Sequence, residues 1–125
     1  MLKSAHDQSL YCDHLDRIVD PGAIDAFWYL VGWASSLRGY ECFPAKKGVI
    51  HDFRWMFGEE QHFALIPNRK WLLFYFRKPS LRLPKYSRDA LVAAFPEISE
   101  NNGGEFTLKI FGIAEAKRLA AFIAS

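Results

Sequence analysis

The sequence predicts an α+β fold in which a mainly antiparallel sheet of about four strands is flanked by three or four helices. Helical periodicity near both ends of the chain, alternating apolar residues in its middle and tight turns between the alternating segments all favour this class. Strands that cluster in mid-chain between helices are typical of such domains. With 125 residues, half of them apolar, the chain is long enough to form one domain, 1–125, with its own core.

The N-terminal third is predicted to be helical. Residues 1–20 are expected to form a loosely attached segment with a short helix from about Ser9 to Val19. The next helix is better marked, because Asp20 suits the N-cap, Pro21 the first turn and Gly39 the C-terminal cap. Its apolar stripe, which we expect to face the sheet, consists of Ile24, Phe27, Trp28, Val31 and Ser35, and it is widened by Leu30, Trp33, Ala34 and Leu37.

Strands are predicted over residues 49–57 and in a hairpin formed by residues 63–66 and 70–77. Pro67 and Asn68 suit the turn of the hairpin. The second arm is apolar at every position from 71 to 76, so it should be a central strand covered on both faces, or one whose outer face binds a partner. In the first strand, the apolar residues expected on one face are Val49, Phe53, Trp55 and Phe57.

The C-terminal third is predicted to contain two helices separated by a strand. The first helix begins after Ser87, whose hydroxyl suits the N-cap, and ends at Phe95, which precedes a proline. Residues 106–110 alternate as in a strand with one dry and one wet face. The last helix spans residues 114–123 and should direct four residues toward the core: Ala116, Leu119, Ala120 and Ile123.

The distribution of charge points to a binding partner. Seven of the sixteen basic residues lie between Gln61 and Arg88, a segment without a carboxylate, while the rest of the chain carries nine basic and fourteen acidic residues. Clustered cations attract phosphates, anionic ligands or acidic protein surfaces, although they can also serve only to keep a hairpin soluble. The predicted anion-binding residues, on the irregular connection after the hairpin, are Arg77, Lys78, Arg82, Lys85 and Arg88.

Aromatic residues accompany this basic segment. Trp71 and Tyr75 share a strand face with Arg77, and an aromatic ring beside a cation is a combination that holds unpaired bases. The predicted stacking or pocket residues are Trp71, Tyr75, Trp55 and Trp33, although tryptophans at helical or alternating spacing are usually core residues. Whether the face of Trp71 and Tyr75 is covered or open decides between these roles.

Catalytic signatures are absent from the sequence. It contains no Walker lysine motif, GxGxxG, GxSxG or HExxH, so an enzymatic role is not favoured and no catalytic residue is assigned. Ligand-type residues at 12–14 and 59–62 lack a recurrent metal-site spacing, and His51 and Asp52 diverge if they are neighbours in a strand. No metal or cofactor is predicted.

The predicted setting is the cytoplasm. The N-terminal residues lack a secretory signal pattern, and no apolar stretch is long enough to cross a membrane. Cys12 and Cys42 are more simply explained as two reduced thiols than as a disulfide.

Three segments resemble small bacterial domains of the MmcQ/YjbR and YdhG (DUF1801) families. They are the hairpin over 63–76, the helix that ends at 91–95, and residues 102–110 ahead of a final helix. The resemblance covers about residues 22–124. It implies a compact α+β fold, and the YjbR branch implies DNA binding. It carries over no catalytic residue.

The sequence therefore predicts a non-enzymatic binding module with a basic, aromatic-rich surface whose partner is nucleic acid. Two alternatives remain open. One is a pocket for a small anionic ligand between the long helix and the sheet; its lining residues would be Trp28, Trp33, Phe53, Trp55 and Tyr75. The other is a regulatory module that binds an acidic protein surface. The sequence does not determine the oligomeric state.

Overall fold

The computed structural model describes residues 5–125, and within that range the chain forms six strands and five α-helices. The α+β class is confirmed, with two strands and one helix more than the upper expectation. The elements are, in chain order, α1 (Ala5–Asp16), α2 (Pro21–Ala34), β1 (Glu41–Lys47), β2 (Ile50–Phe57), β3 (Glu60–Pro67), β4 (Leu72–Phe76), α3 (Lys78–Leu81), a 3₁₀ turn (Pro84–Tyr86), α4 (Arg88–Ala94), β5 (Ser99–Glu100), β6 (Phe106–Ile110) and α5 (Ile113–Ala124).

The six strands form one antiparallel sheet in the order β1-β2-β3-β4-β6-β5. The predicted hairpin is β3–β4, whose pairs run from Phe63 opposite Phe76 to Pro67 opposite Leu72. The Asn68 amide closes its turn by donating to the carbonyl of Trp71 at 3.0 Å. The hairpin prediction is confirmed, and β4 is a central strand between β3 and β6.

The two strands at the sheet edges, β1 and β5, are absent from the sequence prediction. β1 contains Pro44 and ends in Lys46 and Lys47. These features suit an edge, where a missing amide costs no ladder bond and charge discourages further pairing. β5 has only two residues. Neither strand carries an alternating apolar run, which is the signal that the sequence analysis uses.

The helices cover one face of the sheet. On β4 the side chains of Leu72, Phe74 and Phe76 are completely buried in the core, whereas Leu73 and Tyr75 between them stay partly exposed. Neighbouring strand residues point to opposite faces, so the core lies between the helices and one face only. We call the other side, which carries Leu73 and Tyr75, the open face.

The buried stripe of helix α2 overlaps the predicted one but is shifted around the helix axis. The Asp20 carboxylate caps it, as predicted, by accepting from the Ala23 amide at 3.0 Å, but the helix ends at Ala34 rather than near Gly39. Trp28, expected in the core, is 47% exposed. The alanines of α2 allow it to pack closely on α5. The buried residues of α2 are Ala23, Ala26, Phe27, Leu30 and Ala34.

Helix α1 begins before the predicted start and packs on the same side of the sheet. Residues 1–4 of the segment that we expected to be loosely attached lie outside the described residues. Tyr11 is buried beside Phe53, with ring centroids 6.1 Å apart, and beside Trp28 at 6.3 Å. After the helix, the amides of Val19 and Asp20 donate to the carbonyl of Arg69 in the β3–β4 turn at 2.7 and 3.0 Å.

Two residues that the alternation in β2 assigned to the core are instead exposed. Val49 lies in the turn before the strand and is 80% exposed, beside Gly48 with its φ of 63°. At the other end Phe57, the last residue of the strand, is 49% exposed and packs its ring against Tyr40 and His62 at 5.3 and 5.2 Å.

The C-terminal third agrees closely with its prediction. The Ser87 hydroxyl caps α4 by accepting from the Ala90 amide at 3.2 Å, and residues 106–110 form β6. All four residues that the sequence directs from α5 toward the core are buried: Ala116, Leu119, Ala120 and Ile123.

Candidate functional site

The basic connection, which comprises Arg77, Lys78, Arg82, Lys85 and Arg88, lies at the end of the sheet where β4 stops. Four of its five cations have partners within the chain. The Arg77 guanidinium pairs with Glu105 at 2.9 Å, and the Lys85 ammonium donates to the carbonyl of Ile123 at 2.7 Å. The other two pairs are Arg82 with Glu60 and Arg88 with Glu100.

These partners change the electrostatics of the basic connection. The partners Glu60, Glu100 and Glu105 all lie outside the segment from Gln61 to Arg88. A count along that segment therefore finds seven cations and no carboxylate. Folding places one carboxylate on each of three arginines. The field of a paired cation falls off quickly, because the two opposite charges largely cancel beyond the pair. Lys78 is exposed, and its side chain has no carboxylate partner among residues 5–125.

The open face carries the predicted stacking residues. Tyr75 on β4 lies opposite Ala64 on β3 and Thr107 on β6, and Leu73 lies opposite Ile66 and Lys109. Trp71 precedes β4 by one residue and continues the alternation that Leu73 and Tyr75 follow. Both predicted aromatic residues are partly exposed. The face of Trp71 and Tyr75 is therefore accessible to a partner.

Each of these two rings has a cation over its face. The Lys109 ammonium lies 4.6 Å from the centroid of the Trp71 ring, and the Arg77 guanidinium carbon lies 4.9 Å from that of Tyr75. Phe111, half exposed, packs beside Trp71 at 6.2 Å. Such contacts are attractive because the ring face carries partial negative charge. They hold a positive group next to each exposed aromatic surface.

The cations at the Trp71 end of the face differ from those of the basic connection. Arg69 and Lys70 in the β3–β4 turn are exposed, as is Lys109. In the described part of the chain none of these three has a carboxylate partner. We call Trp71, Tyr75, Arg69, Lys70 and Lys109 the platform. Sequence reasoning found its aromatic residues but assigned the phosphate contacts to the other end of the sheet.

Trp33 and Trp55 lie on the helix side and do not join the platform. Trp55 is completely buried, 6.3 Å from Trp33 and 4.9 Å from Phe53 by ring centroids. Tyr75 is on the opposite face of the sheet from these residues, so the ligand pocket predicted between α2 and the sheet is not formed by its predicted residues. A cavity of about 440 Å³ lies nearby between α1, α2 and β1, and its described lining includes Glu41 but no cation.

Two buried histidines form a second polar cluster. His51 is buried, but neither of its ring nitrogens has a hydrogen-bond partner, and its Nε2 lies 3.7 Å from the exposed carboxylate of Asp13. His14 lies edge-on to it at 5.3 Å, bonds to the carbonyl of Leu10 at 2.7 Å and leaves Nε2 unpaired. Burial lowers the pKa of His14. Spacing in the sequence gave no sign of this pair, because α1 brings His14 to β2 only in the folded chain.

Other ligand-type groups are engaged elsewhere. Asp52 accepts from the Arg54 guanidinium at 2.9 Å, and thus points away from its neighbour His51. Cys12 and Cys42 are both free thiols, as predicted. Within residues 5–125 no group of three or more His, Cys, Asp or Glu side chains is placed to hold a metal ion.

No helix in the described range has the length and apolar character needed to cross a bilayer. Comparison with known proteins gives no relative to set beside this geometry: no family model matches the chain, and neither a curated protein nor a solved structure matches it significantly. The resemblance to YjbR-like and YdhG-like domains therefore stays a prediction.

Proposed function

We propose that the protein is a non-enzymatic binding module that holds single-stranded nucleic acid across the open face of its sheet. The observation that carries this proposal is the presence of two accessible aromatic rings on one strand face, each with a cation at 4.6 to 4.9 Å. Bases stack on such rings, and the neighbouring cations contact the phosphates. A duplex keeps its bases stacked on one another, so single strands fit this surface better.

The spacing of the rings suits more than one base. Trp71 and Tyr75 are four residues apart on an extended chain, which separates them by roughly 13 Å at about 3.3 Å per residue. Leu73 lies between them on the same face and offers an apolar surface. A nucleic-acid strand bound along β4 would contact Trp71 at one end and Tyr75 at the other.

The phosphate contacts in this proposal come mainly from Arg69, Lys70 and Lys109. Their charges are uncompensated by carboxylates in the described chain, whereas Arg77, Arg82 and Arg88 each have a glutamate partner. Phosphate neutralisation releases counterions only where a cation is free to replace them. Lys78, which also lacks a carboxylate partner, can extend the path beyond Tyr75.

The test is fluorescence anisotropy with labelled 12-nucleotide DNA and RNA, single- and double-stranded, over a range of salt concentrations. The wild type should prefer single strands. Each phosphate contact should add roughly 0.7 to the salt slope for a single strand. Replacing Trp71 or Tyr75 by alanine should weaken binding by about 1–3 kcal/mol, the usual value of one stacked base.

Two matched charge reversals decide which end of the sheet is used. Arg69→Glu/Lys70→Glu/Lys109→Glu should abolish binding, because it reverses the free cations of the platform. Arg82→Glu/Lys85→Glu/Arg88→Glu makes the same change in charge in the basic connection and should leave most of the affinity. If the second variant loses binding and the first does not, the phosphate path lies on the basic connection. If the wild type binds no oligonucleotide, the proposed function is wrong.

A further inference from the structure

A small cavity opens on the open face beside Trp71. It has a volume of about 240 Å³ and lies between β4, β6, the β5 segment and the start of α5. Ligand pockets for drug-sized molecules are commonly 300–1,000 Å³, so this one suits a single ring system rather than a large ligand. Lys109 belongs to both the platform and the cavity lining, and Phe111 packs on Trp71 while lining the cavity. A base of a nucleic-acid strand bound on the platform would reach this cavity directly.

The polar groups of the cavity provide acceptors and a donor. Glu115 lies at the third position of α5, where its Oε1 accepts from the Phe111 amide at 3.2 Å. Its Oε2 has no hydrogen-bond or ion-pair partner within residues 5–125. Glu97, the other carboxylate in the lining, is paired with Arg118. Glu115 is therefore the acceptor with spare capacity, and the Lys109 ammonium is the donor.

This arrangement fits one nucleobase better than the others. Guanine presents two adjacent N–H donors, at N1 and N2, next to a carbonyl acceptor at O6. A carboxylate accepts from both donors at once, and charge-assisted bidentate pairs are stronger than neutral ones. Thymine and uracil place carbonyl oxygens on both sides of their single ring N–H, and a carboxylate repels those oxygens.

We propose that this cavity selects a guanine base of the bound strand, with Glu115 accepting from N1 and N2 and Lys109 donating to O6. The hydroxyls of Ser99 and Thr107 lie in the same lining and can adapt as donor or acceptor. The inference rests on the proposed function, because the base must be delivered by a strand held on the platform.

The experiment compares a labelled dT12 strand with the same strand carrying one central dG, dI, dC or dA. Good bidentate base contacts discriminate by about 1–3 kcal/mol, which is roughly 5- to 150-fold in affinity, and the dG strand should bind tighter than dT12 by a factor in that range. Inosine lacks only the N2 amino group and should lose most of the gain. This comparison uses the wild-type protein and does not depend on any variant folding.

Glu115→Gln should remove the preference for dG, because the amide replaces one of the two carboxylate oxygens by an NH2 donor, which cannot accept from guanine N1 or N2. Lys117→Gln is the matched control: it is exposed on the same helix, lies outside the cavity lining, and should keep the preference. Equal binding of dG and dT12 strands by the wild type would overturn the guanine inference and leave the proposed function standing. Failure to bind any strand would overturn both.

Discussion

The assignment of one covered and one open face can be tested on two neighbouring leucines of β4. Leu72 is completely buried, whereas Leu73, on the open face, is partly exposed. Leu72→Ala removes three buried carbons, worth about 2.4 kcal/mol at ~0.8 kcal/mol each, and the residual cavity raises the cost to about 3–4 kcal/mol. Leu73→Ala removes the same atoms from a half-solvated position and should cost about 1 kcal/mol.

Urea unfolding followed by tryptophan fluorescence and by circular dichroism measures both variants. In thermal unfolding of a chain of 125 residues, the loss at Leu72 corresponds to a fall in Tm of roughly 13 °C, and that at Leu73 to roughly 4 °C. The two substitutions are chemically identical and lie one residue apart in the same strand, so the change in β-propensity is the same in both variants. Equal losses of stability would show that both faces are covered. The open face, and the platform on it, would then be wrong.

Three further predictions concern stability and reactivity. Lowering the pH from 7 to 5 should reduce the free energy of unfolding by up to about 1.4 kcal/mol per pH unit, because burial lowers the pKa of His14 and the unfolded chain takes up the proton first. His14→Asn, which keeps a donor for the backbone contact, should reduce this dependence and leave the part due to His62, whose pKa burial also lowers. A thiol reagent at pH 8 should modify Cys12 in the native protein and Cys42 only after unfolding, because Cys12 is exposed and burial raises the pKa of Cys42 to about 12. Asp20→Ala should cost about 1 kcal/mol in urea unfolding through the lost N-cap, and Asp25→Ala, exposed in the same helix, close to nothing.

Each of these expectations has a result that contradicts it. An unfolding free energy that is flat between pH 5 and 7 would mean that His14 is accessible to protons in the native state. Rapid labelling of Cys42 in the native state would show that the cavity between α1, α2 and β1 opens readily to the reagent. Equal losses for the two aspartate variants would remove the capping role of Asp20.

The boundaries of several elements follow from residues close together in the sequence. Asp20 and Ser87 cap the helices that they were expected to begin, since a cap bonds to an amide three residues away. The Pro67–Asn68 turn was also predicted from adjacent residues, and it connects the paired strands β3 and β4. The edge strands β1 and β5 escaped prediction, because their pairing depends on a neighbouring strand rather than on an alternating pattern of their own.

The sequence by itself determined the fold class, the central hairpin and the presence of Trp71 and Tyr75 on one strand face, because periodicity and turn chemistry act within a few residues. Only the tertiary structure decided which face is open and which cations are free. The glutamates that neutralise Arg77, Arg82 and Arg88 lie 28, 22 and 12 positions away along the chain. Strand register and loop packing bring these charges together. The energy of their attraction depends on the distance between the two charges in space and not on their separation in the sequence.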